Sequence, residues 1–141
     1  QKIFQYSSRM SNKTLRATKQ RHAIRKAFDA AKRPLGPKEI LQIAGRSVPN
    51  LGIATVYRNI KVMIDEGELE TVELPGQAAR YQPPADENQQ LLICEKDDSV
   101  FTINKEIDGF NPELPDGFVL KRYQIIYYGD YQDSPDKPSR R

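Results

Sequence analysis

Residues 52–66 read GIATVYRNIKVMIDE, and this stretch restricts the fold more tightly than any other in the chain. Ile53, Val56, Ile60, Met63 and Ile64 recur at spacings of three and four, which predicts a helix with one apolar stripe packed on a core. At about 100° per residue, Thr55, Arg58 and Val62 lie opposite that stripe, Ala54 and Lys61 flank them, and Tyr57 sits at its edge. Small, aromatic and cationic side chains on an outward face suit a DNA major groove. Arg reaches guanine edges or phosphate, Thr and Ala approach thymine methyls, and Tyr offers a ring and a hydroxyl. A solvated amphipathic helix would carry the same pattern, so the neighbouring segments have to decide between the two.

Those segments read as more helices and then a hairpin. Thr18 is the expected N-cap of a helix running to about Arg33, with Ile24, Ala27, Phe28 and Ala31 as its buried face. Pro34 ends it, Pro37 opens a second helix, and Ile40, Leu41 and Ala44 supply the apolar side of that helix. After Gly67 the pattern becomes extended: Leu69, Val72 and Leu74, a turn at Pro75 and Gly76, then a returning strand over residues 78–82. Three helices followed by a hairpin make a winged helix-turn-helix, in which the third helix enters the major groove and the hairpin lies along the backbone.

Charge is divided along the chain. Residues 1–82 hold fifteen Lys or Arg against seven Asp or Glu, a net of +8, and residues 83–141 hold seven against twelve, a net of −5. Ten of the basic residues lie in the first 33, where Asp29 is the sole acid, so a polyanion is the natural partner of this half. The run Pro83, Pro84, Ala85, Asp86, Glu87, Asn88 suits a hinge. The expected organisation is an arm at 1–13, a winged-helix domain at 14–82, a hinge at 83–88, a dimerisation domain at 89–130 and a flexible tail at 131–141. A single cysteine excludes an internal disulfide framework, no apolar run is long enough to span a membrane, and no secretory segment lies near Gln1. Together with DNA binding this implies a cytoplasmic setting.

The second half predicts a small α/β unit, making the whole chain α+β. Leu91, Leu92 and Ile93 form one strand, Val100, Phe101 and Ile103 another, and residues 118–128 a long third that ends at Gly129, with a short helix expected over residues 105–110. Such a lobe has few apolar residues and leaves strand edges unpaired, so pairing with a second copy is expected through Phe118, Leu120, Tyr123, Ile125 and Tyr127. Two-fold symmetry would set two recognition helices about 34 Å apart, matching a palindromic operator.

Arg16-Ala-Thr18-Lys-Gln20-Arg21, Ala54-Thr55-Val56-Tyr57-Arg58-Asn59, Gly67 before the wing and Arg80-Tyr81 closing it resemble the ferric uptake regulator family of bacterial repressors. The likeness continues through Leu92-Ile93-Cys94 and Tyr127-Tyr128-Gly129, so that it covers about residues 14–134. The resemblance implies an N-terminal DNA-binding lobe, a C-terminal dimerisation lobe and metal sites within and between them. It implies that Tyr57 and Arg58 contact groove and phosphate and that Arg16 enters an A·T-rich minor groove, where narrow walls concentrate negative potential. The full expected DNA-contacting set is Arg16, Thr18, Lys19, Arg21, Ala54, Thr55, Tyr57, Arg58, Lys61 and Arg80.

The metal chemistry departs from this resemblance. Where the family carries a His-rich segment this chain has Asn88, Gln89, Gln90 and Leu91; the hinge-side glutamate aligns with Gln82, and the histidine before the second helix falls near Arg33 or Pro34. The first C-x-x-C becomes Cys94 and Asp97, the second becomes Tyr131 and Ser134, and the last-strand histidine becomes Tyr123. A tetrahedral zinc needs four donors, usually Cys or His, so no metal and no cofactor is expected. Phe118, Tyr123, Tyr127, Tyr128 and Tyr131 are the expected packing substitutes. A cation gate would then give way to a constitutive dimer held by amides such as Gln82 and Gln89, with oxidation of Cys94 as a rival gate. One histidine, His22, and no Gly-rich phosphate loop argue against an enzyme. A subunit that heterodimerises with a metal-sensing relative and a non-specific DNA-binding protein stay open as alternatives.

Overall fold

The computed structural model describes residues 11–85, 89–103, 105 and 107–132, which form an α+β chain of two units, Gln1–Pro83 and Pro84–Arg141. The expected hinge residues 86–88, most of the arm and most of the tail lie outside the described residues.

The first unit holds α1 (Asn12–Ala31), α2 (Pro37–Ala44), α3 (Ile53–Asp65), and a hairpin of β1 (Glu70–Val72) and β2 (Arg80–Gln82). Helix α1 begins well before the expected cap. Ser11 takes that role, its hydroxyl accepting from the Thr14 N–H at 3.2 Å, so Asn12 and Lys13 belong to the helix rather than to an arm. Thr18 lies inside the helix and its hydroxyl donates back to the Thr14 carbonyl at 2.9 Å. That bond satisfies the side chain without ending the helix, which is why the earlier serine wins. The helix stops at Lys32, in the left-handed region with φ 51° and its N–H donating to the Phe28 carbonyl.

Helix α2 opens at Pro37, a position where its missing N–H costs nothing, and Glu39 accepts from the Gly36 N–H at 3.2 Å. It ends on Gly45, where a Cβ would come within 2.6 Å of the Leu41 carbonyl oxygen. Helix α3 ends at Glu66, and Gly67, at φ 75°, turns the chain so that Glu68 and Leu69 both donate to the Met63 carbonyl.

Ile24, Phe28, Leu35, Ile40, Leu51, Val56, Ile60 and Met63 meet in one buried cluster. The apolar side of α3 is therefore Val56, Ile60 and Met63, with Ile64 partly buried against the same cluster. Ile53 stands 38 % exposed in the first turn, and the buried arc instead takes in Asn59. Asn59 is tolerated there because its amide donates to the Thr55 carbonyl at 2.9 Å.

The wing pairs Glu70 with Gln82, Thr71 with Tyr81 and Val72 with Arg80, and Gly76, at φ 70°, makes its turn. The returning strand starts at Arg80, two residues later than the periodicity predicts. Leu35 and Tyr81 exchange both backbone hydrogen bonds, at 2.9 and 2.8 Å, so the α1–α2 connection acts as a one-residue third strand against the wing.

In the second unit β3 (Gln89–Cys94) runs antiparallel to β4 (Val100–Ile103) and parallel to β5 (Gln124–Gly129), in the order β4-β3-β5. Leu91, Ile93, Cys94, Val100 and Phe101 are its buried apolar residues. The long strand expected from residue 118 is shorter, because β5 pairs with β3 only from Gln124, opposite Gln89. Upstream, Gly117 at φ 82° turns the chain and Phe118 donates its N–H to the Pro115 carbonyl. The expected helix over 105–110 is replaced, among the described residues there, by a turn at Asp108 and Gly109; Glu106 lies outside them.

Candidate nucleic-acid interface

With Val56, Ile60 and Met63 sealed in the core, α3 turns the opposite arc to solvent. Ala54, Tyr57, Arg58 and Lys61 are exposed, Tyr57 at 54 %, and Thr55 is half-buried beside them. The Thr55 hydroxyl accepts from Arg58 Nη2 at 3.1 Å, holding the guanidinium along the helix rather than letting it sweep through solvent. This face offers one rigid ring, one oriented guanidinium, one flexible ammonium and small residues between them. Such a set can meet base edges and phosphates together.

The cations of α1 separate into two groups. Lys13, Arg16 and Lys19 are exposed on the first turns, where even Leu15 is 44 % exposed, so this end of the helix extends past the core. Further along, Arg21 pairs with Glu66 at 3.0 Å, and Arg25 grips Glu68 with both Nε and Nη2, at 2.6 and 2.7 Å. These two pairs brace α1 against the segment that leads from α3 into the wing. Arg21 is therefore engaged in the fold, and Arg80 is turned inward beside Glu39. The expected contacts at Arg16, Lys19, Ala54, Thr55, Tyr57, Arg58 and Lys61 all lie on open or partly open helix surface. Thr18 is exposed as well, although its hydroxyl is spent on the helix backbone.

The hydrogen bonds from Arg25 hold the Glu68 carboxyl below the ordinary glutamate range despite some desolvation, and the charges of Arg25 and Arg21 add to the effect. Since the folded pKa lies below the unfolded one, the contribution of this clamp is complete above the ordinary glutamate pKa and is lost as pH falls through the lowered value. Both side chains are part exposed, so the contribution is small and weakened by salt. Urea midpoints between neutral pH and about pH 3 should fall less steeply for Arg25→Gln than for the unaltered chain. Identical slopes would show that the pair adds nothing.

In the second unit Phe118, Leu120 and Tyr127 are exposed at 59, 38 and 43 %, while Tyr123 and Ile125 are partly covered. Val119 and Tyr128 join the exposed apolar surface. Phe118, Tyr127 and Tyr128 thus do not fill the core of their own unit as packing substitutes. Tyr123 and Tyr131 do pack: Tyr123 lies against Phe110 at 4.1 Å, and Tyr131 meets Phe101 edge-on at 5.5 Å. Gln90, buried and at one of the positions of the family's His-rich segment, accepts from the Tyr127 hydroxyl at 2.8 Å and donates to the Lys105 carbonyl.

The positions that would hold metal have other partners. Gln82 donates to Glu70 at 2.7 Å within the hairpin, Arg33 is paired with Glu39, and Asp97 accepts from the Ser99 N–H and hydroxyl. Burial, with Cys94 nearby, pushes the Tyr131 phenol up. Among the described residues no three His, Cys, Asp or Glu side chains are grouped to hold an ion; Asn88 and Ser134 lie outside them. This donor set does not fit a tetrahedral zinc. Among the described residues no helix is long and apolar enough to cross a membrane.

Comparison with known proteins agrees with this architecture. The chain is 26 % identical to the peroxide-responsive repressor PerR of Staphylococcus saprophyticus, over 91 % of this chain and 88 % of that protein. It superposes on a zinc-bound manganese uptake regulator with a TM-score of 0.62 at 21 % identity, covering 88 % of this chain and 91 % of that one. Against the ferric uptake regulator of Vibrio cholerae the TM-score is 0.58 at 15 % identity, with 79 and 88 % covered. The sequence profile of the ferric uptake regulator family matches residues 12–128. The chain, with its winged helix and its separate three-stranded unit, therefore belongs to the ferric uptake regulator family of DNA-binding transcriptional regulators.

Proposed function

We propose that this protein is a transcriptional repressor that binds an A·T-rich palindromic operator as a homodimer and needs no metal to do so. The observation that carries the reading is the outward arc of α3, where Ala54, Tyr57, Arg58 and Lys61 stand exposed on a helix whose other side is sealed in the core. Arg16 and Lys19, on the projecting end of α1, would hold flanking phosphates or the minor groove. Thr55 keeps Arg58 aligned for a guanine edge or a phosphate. Dimerisation would proceed through β5, an edge strand in this chain, with Phe118, Leu120, Tyr123, Ile125 and Tyr127 around it. Metal independence is supported by the chemistry of the residues at the ligand positions, where amides, a guanidinium and phenols stand at most of them and only Cys94 and Asp97 keep a thiol and a carboxylate, too few for a tetrahedral site.

Selection from random duplexes, followed by binding to the selected site and to a scrambled one over a range of salt, tests the reading. Affinity for both should fall with salt, while a gap between the two sequences persists only with base readout. After dialysis against a chelator the affinity for the selected site should be unchanged, and added divalent cation should not raise it. Chelation that reduces binding to the scrambled-site level, reversed by metal, would overturn metal independence. Sedimentation of the purified chain should give a dimer; a monomer would favour a subunit that pairs with an unlike relative.

A further inference from the structure

Arg80 begins the returning strand of the wing, where a cation is well placed to touch DNA phosphate, yet its side chain is only 16 % exposed. It lies flat across Gly36: a Cβ added there would sit 3.4 Å from Arg80 Cδ and 3.7 Å from its Nε and Nη1. Nη1 donates to the Ala78 carbonyl at 3.0 Å, within the wing itself. The guanidinium ends beside Glu39, with Nε 3.7 Å from Oε1, an ion pair rather than a hydrogen bond. The other Glu39 oxygen takes Arg33 Nη1 at 2.6 Å, and Oε1 also accepts the Gly36 N–H. One carboxylate on the first turn of α2 thus gathers a cation and a backbone N–H from the α1–α2 connection and a cation from the wing. These contacts flank the Leu35–Tyr81 bridge, the point at which the wing is hydrogen-bonded to the helical body.

We infer that Glu39 is a positioning residue that fixes the wing's placement through Arg80 and Arg33, and that Arg80 serves as the wing's anchor rather than as a phosphate ligand. The inference rests on the DNA-binding reading for its consequence, although the latch itself is a property of the free protein. A wing held at one point on the helical body presents its backbone-tracking surface in register with α3. A wing released from it meets the duplex in many poses and loses the advantage of a matched site.

The sign of one effect separates this role from simple charge. Glu39 is an acid in the unit proposed to bind DNA, so on electrostatics alone Glu39→Gln should tighten binding to every duplex. Gln still accepts from the Gly36 N–H, which spares the start of α2. If Glu39 positions the wing, Glu39→Gln should weaken binding to the selected site by about fivefold and leave binding to a scrambled duplex equal or tighter. Arg80→Met should act in the same direction, and the double variant should lose less than the product of the two single losses. In the free protein, Glu39→Gln should speed amide exchange at Leu35 and Tyr81 by about the same fivefold factor, with the amides of Ile24 and Ile60 unaltered.

Binding by Glu39→Gln that is equal or tighter on both duplexes would overturn the proposal. So would a salt slope reduced by about one for Arg80→Met on both duplexes with Glu39→Gln neutral, the signature of a direct phosphate contact. Exchange at Leu35 and Tyr81 that does not change in Glu39→Gln would overturn it whether or not the protein binds DNA. A chain that fails to discriminate any duplex would defeat the DNA-binding reading, and faster exchange in Glu39→Gln would still support the latch.

Discussion

Replacing Arg58 with Ala should weaken binding to the selected operator by about 1 to 3 kcal/mol, roughly five- to more than a hundredfold. The guanidinium stands on the exposed arc of α3 and is oriented by the Thr55 hydroxyl, so little conformational freedom remains to be lost when it meets the duplex. The distribution of the loss identifies its target. If Arg58 reads a base edge, discrimination should relax at one base pair and the salt slope should stay nearly constant. If it holds a phosphate, selected and scrambled duplexes should lose affinity alike and the slope should fall by about one. Competition binding at two salt concentrations measures both. A variant that binds both duplexes as well as the unaltered chain would remove α3 from the interface.

Phe28→Ala should cost about 3 to 5 kcal/mol of stability in the first unit. Phe28 is 4 % exposed and packs in the cluster formed by α1, α2 and α3, so removing its ring leaves a cavity that a three-helix core can only partly close. Small domains have about 5 to 15 kcal/mol in total, so the loss would take much of what holds the helices together. The melting temperature should fall by on the order of 20 °C. Circular dichroism at the helical minimum reports on this unit, since all helices among the described residues lie in it. Operator binding should fail on warming well before it does for the unaltered chain. A loss under about 1 kcal/mol would mean that the site collapses around the missing ring and that α1 is not the keystone of the core.

The helices were readable in the sequence because their causes are local. Val56, Ile60 and Met63 repeat at helical spacing, Pro34 and Pro37 punctuate, and Gly67 permits the turn into the wing, each within a few residues of its effect. The sequence is ambiguous where two local signals compete or where a partner strand sets the limit. Ser11 and Thr18 are both good caps, and the choice between them depends on residues 12–17 continuing the helix beyond the core. Residues 118–123 have the composition of a strand but not the pairing, since β3 meets β5 only from Gln124. Asn59 replaced Ile53 in the buried arc because the core contacts α3 from Val56 onward and leaves the residue that opens the helix in solvent.

From the residues alone came the three helices and hairpin, the division of charge between the halves, the two-faced third helix and the poverty of metal donors, all properties that follow from local periodicity, spacing and side-chain chemistry. Only the folded chain decided which cations remain on open surface and which are tied down: Arg16, Lys19, Arg58 and Lys61 stand exposed, while Arg21, Arg25, Arg33 and Arg80 are paired with Glu66, Glu68 and Glu39. The reason is geometric. Arg21, Arg25 and Arg80 meet acids that folding brings to them from distant parts of the sequence, and no local pattern of charge records which acid each will meet, whereas Arg33 and Glu39 lie only six residues apart.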